Sequence, residues 1–157
     1  MAKYDEEQFM RDLKNIILNN VNAKIDEINT EKGDNLLKQV DDNNFYLTLD
    51  DEYLNADPII YYGIAGSESL GIGPSTERKV GVFFDIIFIN DFTDRELIYK
   101  CLRYSRALRE VIECNFKKIA EVGNLVIETV TPTDVKMHGE GPYYKIGGVV
   151  VSGNLWS

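Results

Sequence analysis

Residues 93–119 read TDRELIYKCLRYSRALREVIECNFKKI, and their apolar positions recur at intervals of three and four, the spacing of one helix face. Thr93 with Glu96 three residues later is a capping-box pattern, which predicts a helix that begins near Asp94. We therefore expect a long amphipathic helix packed through one face. That face comprises Leu97, Ile98, Cys101, Leu102, Ser105, Leu108, Val111, Ile112, Phe116 and Ile119.

Two strands are predicted before this helix and two after it. Residues 58–64 (PIIYYGI) and 79–90 (KVGVFFDIIFIN) are rich in β-branched and aromatic residues, and the second is so apolar that we expect it to be covered on both faces. Residues 124–131 (NLVIETVT) and 143–151 (YYKIGGVVV) form the later pair, the last continuing to Trp156. Gly147 and Gly148 inside that strand predict a bulge or the close approach of another backbone.

The chain before these strands begins with a second amphipathic helix. Residues 5–28 carry one apolar stripe, which favours packing on the domain's own sheet over docking on a neighbouring subunit. Gly33 is a natural helix stop, and polar residues 29–44 predict a loop with one helical turn. A short strand is expected at residues 45–49, ended by the charge cluster Asp50, Asp51 and Glu52. The spacing of those acids differs from that of a calcium loop and indicates a solvated turn.

The order of these elements predicts an α+β fold. We expect a largely antiparallel sheet with a long hairpin and two main helices packed on one face. A chain of 157 residues is the usual size of one domain, so residues 1–157 are expected to form a single core.

The charge of the chain limits its partners. A net charge of −9 and a pI near 4.6 argue against a general nucleic-acid binder, which needs an excess of clustered lysine and arginine. No apolar run approaches the roughly 20 residues of a membrane span, and the acidic start MAKYDEEQF is unlike a signal peptide. We expect a soluble protein made in the cytoplasm, without membrane contact.

The cysteines and the single histidine give no catalytic or metal site. Cys101 and Cys114 would lie about 20 Å apart on one helix, too far for a disulfide, and are expected to be small core or near-core residues. One histidine cannot complete a zinc cluster, and His138, in the turn-like MHGEGP, has no paired nucleophile. The sequence therefore predicts no catalytic residue, no metal and no cofactor.

The segment between the first two long strands reads AGSESLGIGPSTER, residues 65–78, and predicts the tip of a long hairpin. A phosphate-binding loop would be followed by a helix, whereas here a strand follows. Residues 66–78 are expected to form a flexible tip that is either a contact element or simply disordered.

Arginines on the long helix form a basic row. Arg103, Arg106 and Arg109 step by three along it. Pairing with Glu96, Glu110 or Glu113 within the chain is favoured, and docking of an acidic surface of another subunit on Arg103 and Arg106 is the alternative.

The element order resembles that of the tail terminator, or tail completion, proteins of tailed bacteriophages and related particles. The resemblance rests on the N-terminal helix, the long hairpin, the helix with YSRALREVI at residues 104–112, and the strands around TVTPTDV and YYKIGGVVVSG. It covers most of the chain but includes no invariant chemical motif.

The resemblance implies a non-enzymatic virion protein of the tail or neck. Six subunits would form a ring that caps the tail tube, ends tail growth and contacts the tail tube protein and the head-tail connector or stopper. An acidic ring would let DNA pass through its lumen without specific binding. The implied subunit or partner contacts, together with the two arginines, are Ser67, Ser69, Leu70, Ile72, Arg78, Arg103, Arg106, Leu155 and Trp156.

Two alternatives remain. Another neck or head-completion protein of the same particle would share the size, acidity and fold class. A metal-dependent nuclease would use Asp85 with Asp134 and Lys136, although Pro132 is expected to break the strand that presents Asp134.

Overall fold

The computed structural model describes residues 4–49, 56–71, 77–119, 121–136 and 142–156. These residues form two helices and a five-stranded sheet, which confirms the α+β class and the two helices on one face. The elements are α1 (Glu6–Lys32), β1 (Phe45–Tyr46), β2 (Ile59–Ser69), β3 (Glu77–Asn90), α2 (Leu97–Asn115), β4 (Val122–Lys136) and β5 (Tyr143–Trp156).

The sheet has the strand order β1-β2-β3-β5-β4. Only β1 runs parallel to its neighbour, and every other pair is antiparallel. The predicted strand over residues 45–49 is wrong beyond Tyr46, because β1 pairs with β2 through Phe45 and Tyr46 alone. The acids at residues 50–52 lie outside the described residues, as does His138.

Helix α1 is confirmed and is longer than predicted. The Asp5 side chain caps it by accepting a hydrogen bond from the Gln8 amide (2.9 Å). Gly33 ends it in the left-handed conformation, with φ of 70°, and its amide donates to carbonyls of the last turn. The buried stripe includes Phe9, Leu13 and Ile17, and it packs on the core beneath the sheet.

Helix α2 begins later than predicted. Its first residue is Leu97, so Thr93 lies too far upstream to cap it. The Asp91 carboxylate accepts both the Thr93 amide (3.0 Å) and the Thr93 hydroxyl (2.6 Å). Asp94 accepts the Glu96 amide in a second tight turn (2.8 Å). These two aspartates hold the segment before α2 in turns, which delays the start of the helix.

The buried face of α2 is also narrower than predicted. Ile98 and Leu102 are 43% exposed and Phe116 is 40% exposed, whereas Tyr104 and Ala107 are buried. Cys101 is buried as expected, but Cys114 is exposed. An exposed apolar row therefore follows the flank of the helix.

The prediction that β3 is covered on both faces was wrong, because the two helices pack on only one face of the strand. Val82, Phe84 and Ile86 face the helices in the main core. The opposite face carries a small second cluster of Ile59, Ile87 and Tyr144. Elsewhere on that face the alternating burial of β3 leaves side chains half-buried, as in a sheet with one solvated side.

Pro132 lies inside β4, which contradicts the predicted strand break. The strand continues to Lys136, with irregular pairing between Val130 and Thr133. Because β4 is the last strand of the sheet, a proline there removes no hydrogen bond from the centre of the sheet.

The predicted close approach at the glycine pair is confirmed. A Cβ on Gly147 would lie 3.1 Å from Cβ of Cys101 on α2. Gly148 has a φ of 133°, and a Cβ there would lie 2.0 Å from the Phe84 carbonyl oxygen on β3. Gly148 therefore excludes a side chain, whereas a Cβ at Gly147 would crowd Cys101.

Candidate functional site

The sheet ends in two different free edges. Strand β4 is 15 residues long and pairs with β5 on one side, and no described strand pairs with its outer side. On the other side of the sheet, β1 covers β2 only at Ile60 and Tyr61. The rest of β2, as far as Ser69, has no second strand beside it within the described residues. Such edges expose backbone donors and acceptors that can pair with another chain.

Apolar side chains accompany the β4 edge. Val126 is 54% exposed on the strand itself. A groove of about 380 Å³ lies between the end of α2 and the start of β4, lined by Glu113, Phe116, Asn124, Leu125 and Ile127. An unpaired strand beside an apolar groove is the type of surface to which an additional strand binds.

Strands β2 and β3 extend farther into the predicted hairpin tip than expected. Ser67, Ser69 and Arg78 all lie in the paired strands, opposite Val80, Arg78 and Ser69 respectively. The tip beyond the strands is thus confined to residues 70–76, of which the structure describes 70 and 71. Ile72 lies outside the described residues.

Ser67 and Arg78 connect the hairpin to the start of α1. The Ser67 hydroxyl donates to Oε1 of Glu6 (2.7 Å), and Nε of Arg78 donates to the same oxygen (2.9 Å). The Ser67 hydrogen bond is the main cause that lowers the pKa of Glu6, and a backbone hydrogen bond at Glu6 and then the hydrogen bond and charge of Arg78 add to it. Nearer the tip, the Ser69 hydroxyl donates to the Gly71 carbonyl (3.1 Å), and Leu70 is 45% exposed. Among these predicted contacts, Leu70 presents the largest exposed apolar group.

Arg103 and Arg106 form ion pairs inside the chain. Arg103 binds both carboxylate oxygens of Asp34, in the turn after α1, and lowers the pKa of that carboxyl. Arg106 binds Glu31 at the end of α1 and also Glu110. The predicted pairing within α2 is confirmed for Glu110, and the pairing with α1 was not predicted.

The two predicted contacts at the end of β5 lie in the sheet. Leu155 is only 2% exposed and belongs to the main core, so it is not available as a surface contact. The backbone of Trp156 pairs with Glu77 of β3.

The structure separates the residues of the nuclease alternative. Asp85 pairs with Gly148 and Asp134 pairs with Lys145 three positions away, so strand spacings place the two aspartates on the order of 14 Å apart. The Asp134 carboxylate is held by Lys145 (2.9 Å) and Asn90 (2.8 Å). Lys136 lies over the Tyr143 ring, 5.4 Å from its centroid. Among the described residues, no group of three metal-binding side chains is assembled.

Compared with known proteins, the sequence matches no protein-family model and has no significant match among curated proteins. Neither helix in the described ranges is long and apolar enough to cross a membrane.

Sequence reasoning missed the two strand edges, which follow from pairing partners distant in the chain. It also missed Asp34 and Glu31 as partners of the arginines. The sequence offered one hint of these pairs. Glu31 and Asp34 flank Gly33, the residue that ends α1, and acids at a helix end are placed to meet cations of a neighbouring helix.

Proposed function

We propose that this chain is a structural subunit that joins edge to edge with copies of itself in a ring, and that the ring is the tail terminator of a tailed phage or related particle. The observation that carries the proposal is the pair of unlike free edges, β4 and the outer part of β2, on one sheet.

Unlike edges favour a ring for a geometric reason. When β4 of one copy meets β2 of the next, each subunit uses one edge and offers the other, so the contact is head-to-tail. Head-to-tail contacts give a closed ring where the rotation between subunits closes, and a filament where it does not. The resemblance to tail terminators implies six subunits in the ring.

Support for the particular role comes from the resemblance in element order and from the charge. A ring of subunits that each carry a net charge of −9 would repel DNA phosphates from its lumen, as passage of a genome requires. The exposed Leu70 at the hairpin end is suited to contact the tail tube or the connector.

Assembly through the β4 edge is tested with Val126→Lys. Lysine on an exposed edge strand opposes pairing with another chain. Tyr99→Lys is the matched control, because Tyr99 is similarly exposed (56%) on the side of α2 opposite its buried face. We expect analytical ultracentrifugation and electron microscopy to find closed rings for the parent protein and for the Tyr99 variant, and single subunits for the Val126 variant. Rings that form equally well in the Val126 variant would exclude this edge.

The role in the particle is tested by deleting the gene from the phage or phage-like element that carries it. Filled heads beside unjoined tails of irregular length, seen by electron microscopy, are expected. Unjoined tails of normal length would instead indicate another neck or head-completion protein. Normal joined particles would refute a role in the virion.

A further inference from the structure

Asp85 is a half-buried carboxylate on the face of the sheet opposite the helices. Its cross-strand neighbours are Tyr61 on β2 and Gly148 on β5, and Phe83 and Ile87 flank it on the same face of β3. Burial among these groups raises the pKa of Asp85 to about 6. Within the described residues, no side chain or amide donates a hydrogen bond to it, and no cation pairs with it. A carboxylate that is partly removed from water and unpaired is unfavourable, and a cation would relieve that cost.

Two aromatic rings lie beside this carboxylate. The centroids of Tyr61 and Phe83 are 5.1 Å apart, with their planes tilted by 55°. The Phe83 ring leans over Gly63, where a Cβ would lie 3.0 Å from its Cζ, so the glycine provides the room for this ring position. Aromatic faces attract ammonium and guanidinium groups, and their apolar surface can pack against the stem of lysine or arginine.

The β5 side of Asp85 is open. Gly148 has no side chain, and its backbone conformation and the nearby Phe84 carbonyl exclude one. Along β5 on this face follow Val150 and Ser152, which line a groove of about 400 Å³ together with Ala65 and Gly81. A peptide segment in this groove would run along β5 toward Asp85.

We propose that Asp85, Tyr61 and Phe83 bind a lysine or arginine side chain of a partner protein, whose adjoining residues lie in the groove beside Val150 and Ser152. The positive charge of the basic group would pair with the Asp85 carboxylate, and the faces of the two rings would attract it by cation–π interaction. The chain itself is a poor source of it, because its net charge is −9 and, within the described residues, ten lysines and arginines already form ion pairs in the subunit. The carboxylate and the two rings lie on the face of the sheet, whereas the groove borders the outer part of β2 at Ala65, which the ring proposal uses as an edge.

The test uses the full chain and short blocked peptides as probes. Gly-Arg-Gly is compared with Gly-citrulline-Gly, which keeps the shape of arginine without its charge. Nuclear magnetic resonance would follow the Asp85 carboxyl carbon, the two rings and the Val150 methyls during titration. We expect the arginine peptide to shift these signals at about millimolar concentration and to lower the pKa of Asp85 below its value of about 6. The citrulline peptide should bind at least fivefold more weakly.

Two variants identify the group responsible. Asp85→Asn should weaken binding of the arginine peptide at least fivefold. Glu128→Gln removes an exposed carboxylate opposite Val150 and should leave binding within twofold of the parent. Equal binding of both peptides, unchanged binding by the Asp85 variant, or no shift of these signals would overturn the proposal. Shifts of the same signals with protein concentration alone would assign the face to a second copy of the chain and overturn the choice of partner.

Discussion

Nη1 of Arg103 lies 2.9 Å and 2.7 Å from the two carboxylate oxygens of Asp34, and this ion pair joins α2 to the turn that ends α1. The two residues are 69 positions apart in the chain. Arg106 repeats the connection one turn later through Glu31. A basic row in an acidic protein thus serves the packing of its two helices.

Arg103→Ala should destabilise the fold by more than Arg109→Ala does, because the partly screened pair is lost and Asp34 is left without its cation. Arg109→Ala is the control, since its closest approach to Glu113 is 3.8 Å at the helix surface, and it should change the stability by less than about 0.5 kcal/mol. Urea denaturation measures both. Equal losses in the two variants would show that the Asp34 pair contributes nothing specific.

Gly148→Ala should destabilise the protein by more than about 3 kcal/mol and reduce its soluble yield. The new Cβ would meet the Phe84 carbonyl in a backbone conformation that alanine rarely adopts. At Gly66 a Cβ would meet nothing within 4 Å, so Gly66→Ala should leave the thermal midpoint within a few degrees of the parent. A Gly148→Ala variant as stable as Gly66→Ala would mean that β3 and β5 are not packed as described.

Asn90→Ala should cost about 1–3 kcal/mol, because the buried Asn90 side chain accepts the Phe92 amide (3.0 Å) and donates to Asp134 (2.8 Å). Phe92 itself is 66% exposed with a φ of 65°. Phe92→Gly should therefore be neutral or stabilising by up to about 1 kcal/mol, since glycine adopts that conformation without strain. Thermal unfolding separates the two. A large loss from Phe92→Gly would show that its edge-on contact with Tyr143 matters more than its backbone strain.

Asp85 should make stability fall as pH rises. Its pKa is about 6 in the folded protein and about 3.9 in an unfolded chain, so the folded state holds the proton more tightly. The contribution is fully present below about pH 4 and is lost as pH rises through about 6. Tyr61 on β2, Tyr46 on β1 and Glu128 on β4 are the titratable groups nearest in the strand register on this face.

Asp85→Asn should accordingly remove this fall and stabilise the protein at pH 7 by roughly 1–2 kcal/mol, a value reduced for the partial exposure of the group. Denaturant unfolding between pH 4 and pH 8 measures the slope, with Glu128→Gln as the control that keeps it. A slope that persists in the Asp85 variant would assign the effect to another group.

Local signals predicted most of the helices and strands. The apolar stripe of α1 predicted nearly the whole helix, and Asp5 and Gly33 lie at its two ends. The glycine pair in β5 correctly predicted a close approach at Gly148. The start predicted from Thr93 was wrong because Asp91 and Asp94 accept the amides two residues ahead and hold this segment in turns, an alternative to helix that spacing alone does not reveal.

The errors at longer range share one cause. Pro132 is compatible with a strand only because β4 lies at the edge, and strand order is not visible in the sequence of one strand. Leu155 was expected at the surface, and it is buried because β5 continues pairing to Trp156. The partners of Arg103 and Arg106, and the isolation of Asp85, likewise depend on which elements meet in three dimensions.

The position of β5 between β3 and β4 also constrains how the chain folds during synthesis. The last of the five described strands in chain order lies inside the sheet, so the edges of β3 and β4 that face β5 stay unpaired until β5 has left the ribosome. A transcript truncated before β5 would leave two long strands without their shared neighbour and produce an aggregation-prone fragment in place of a smaller working subunit.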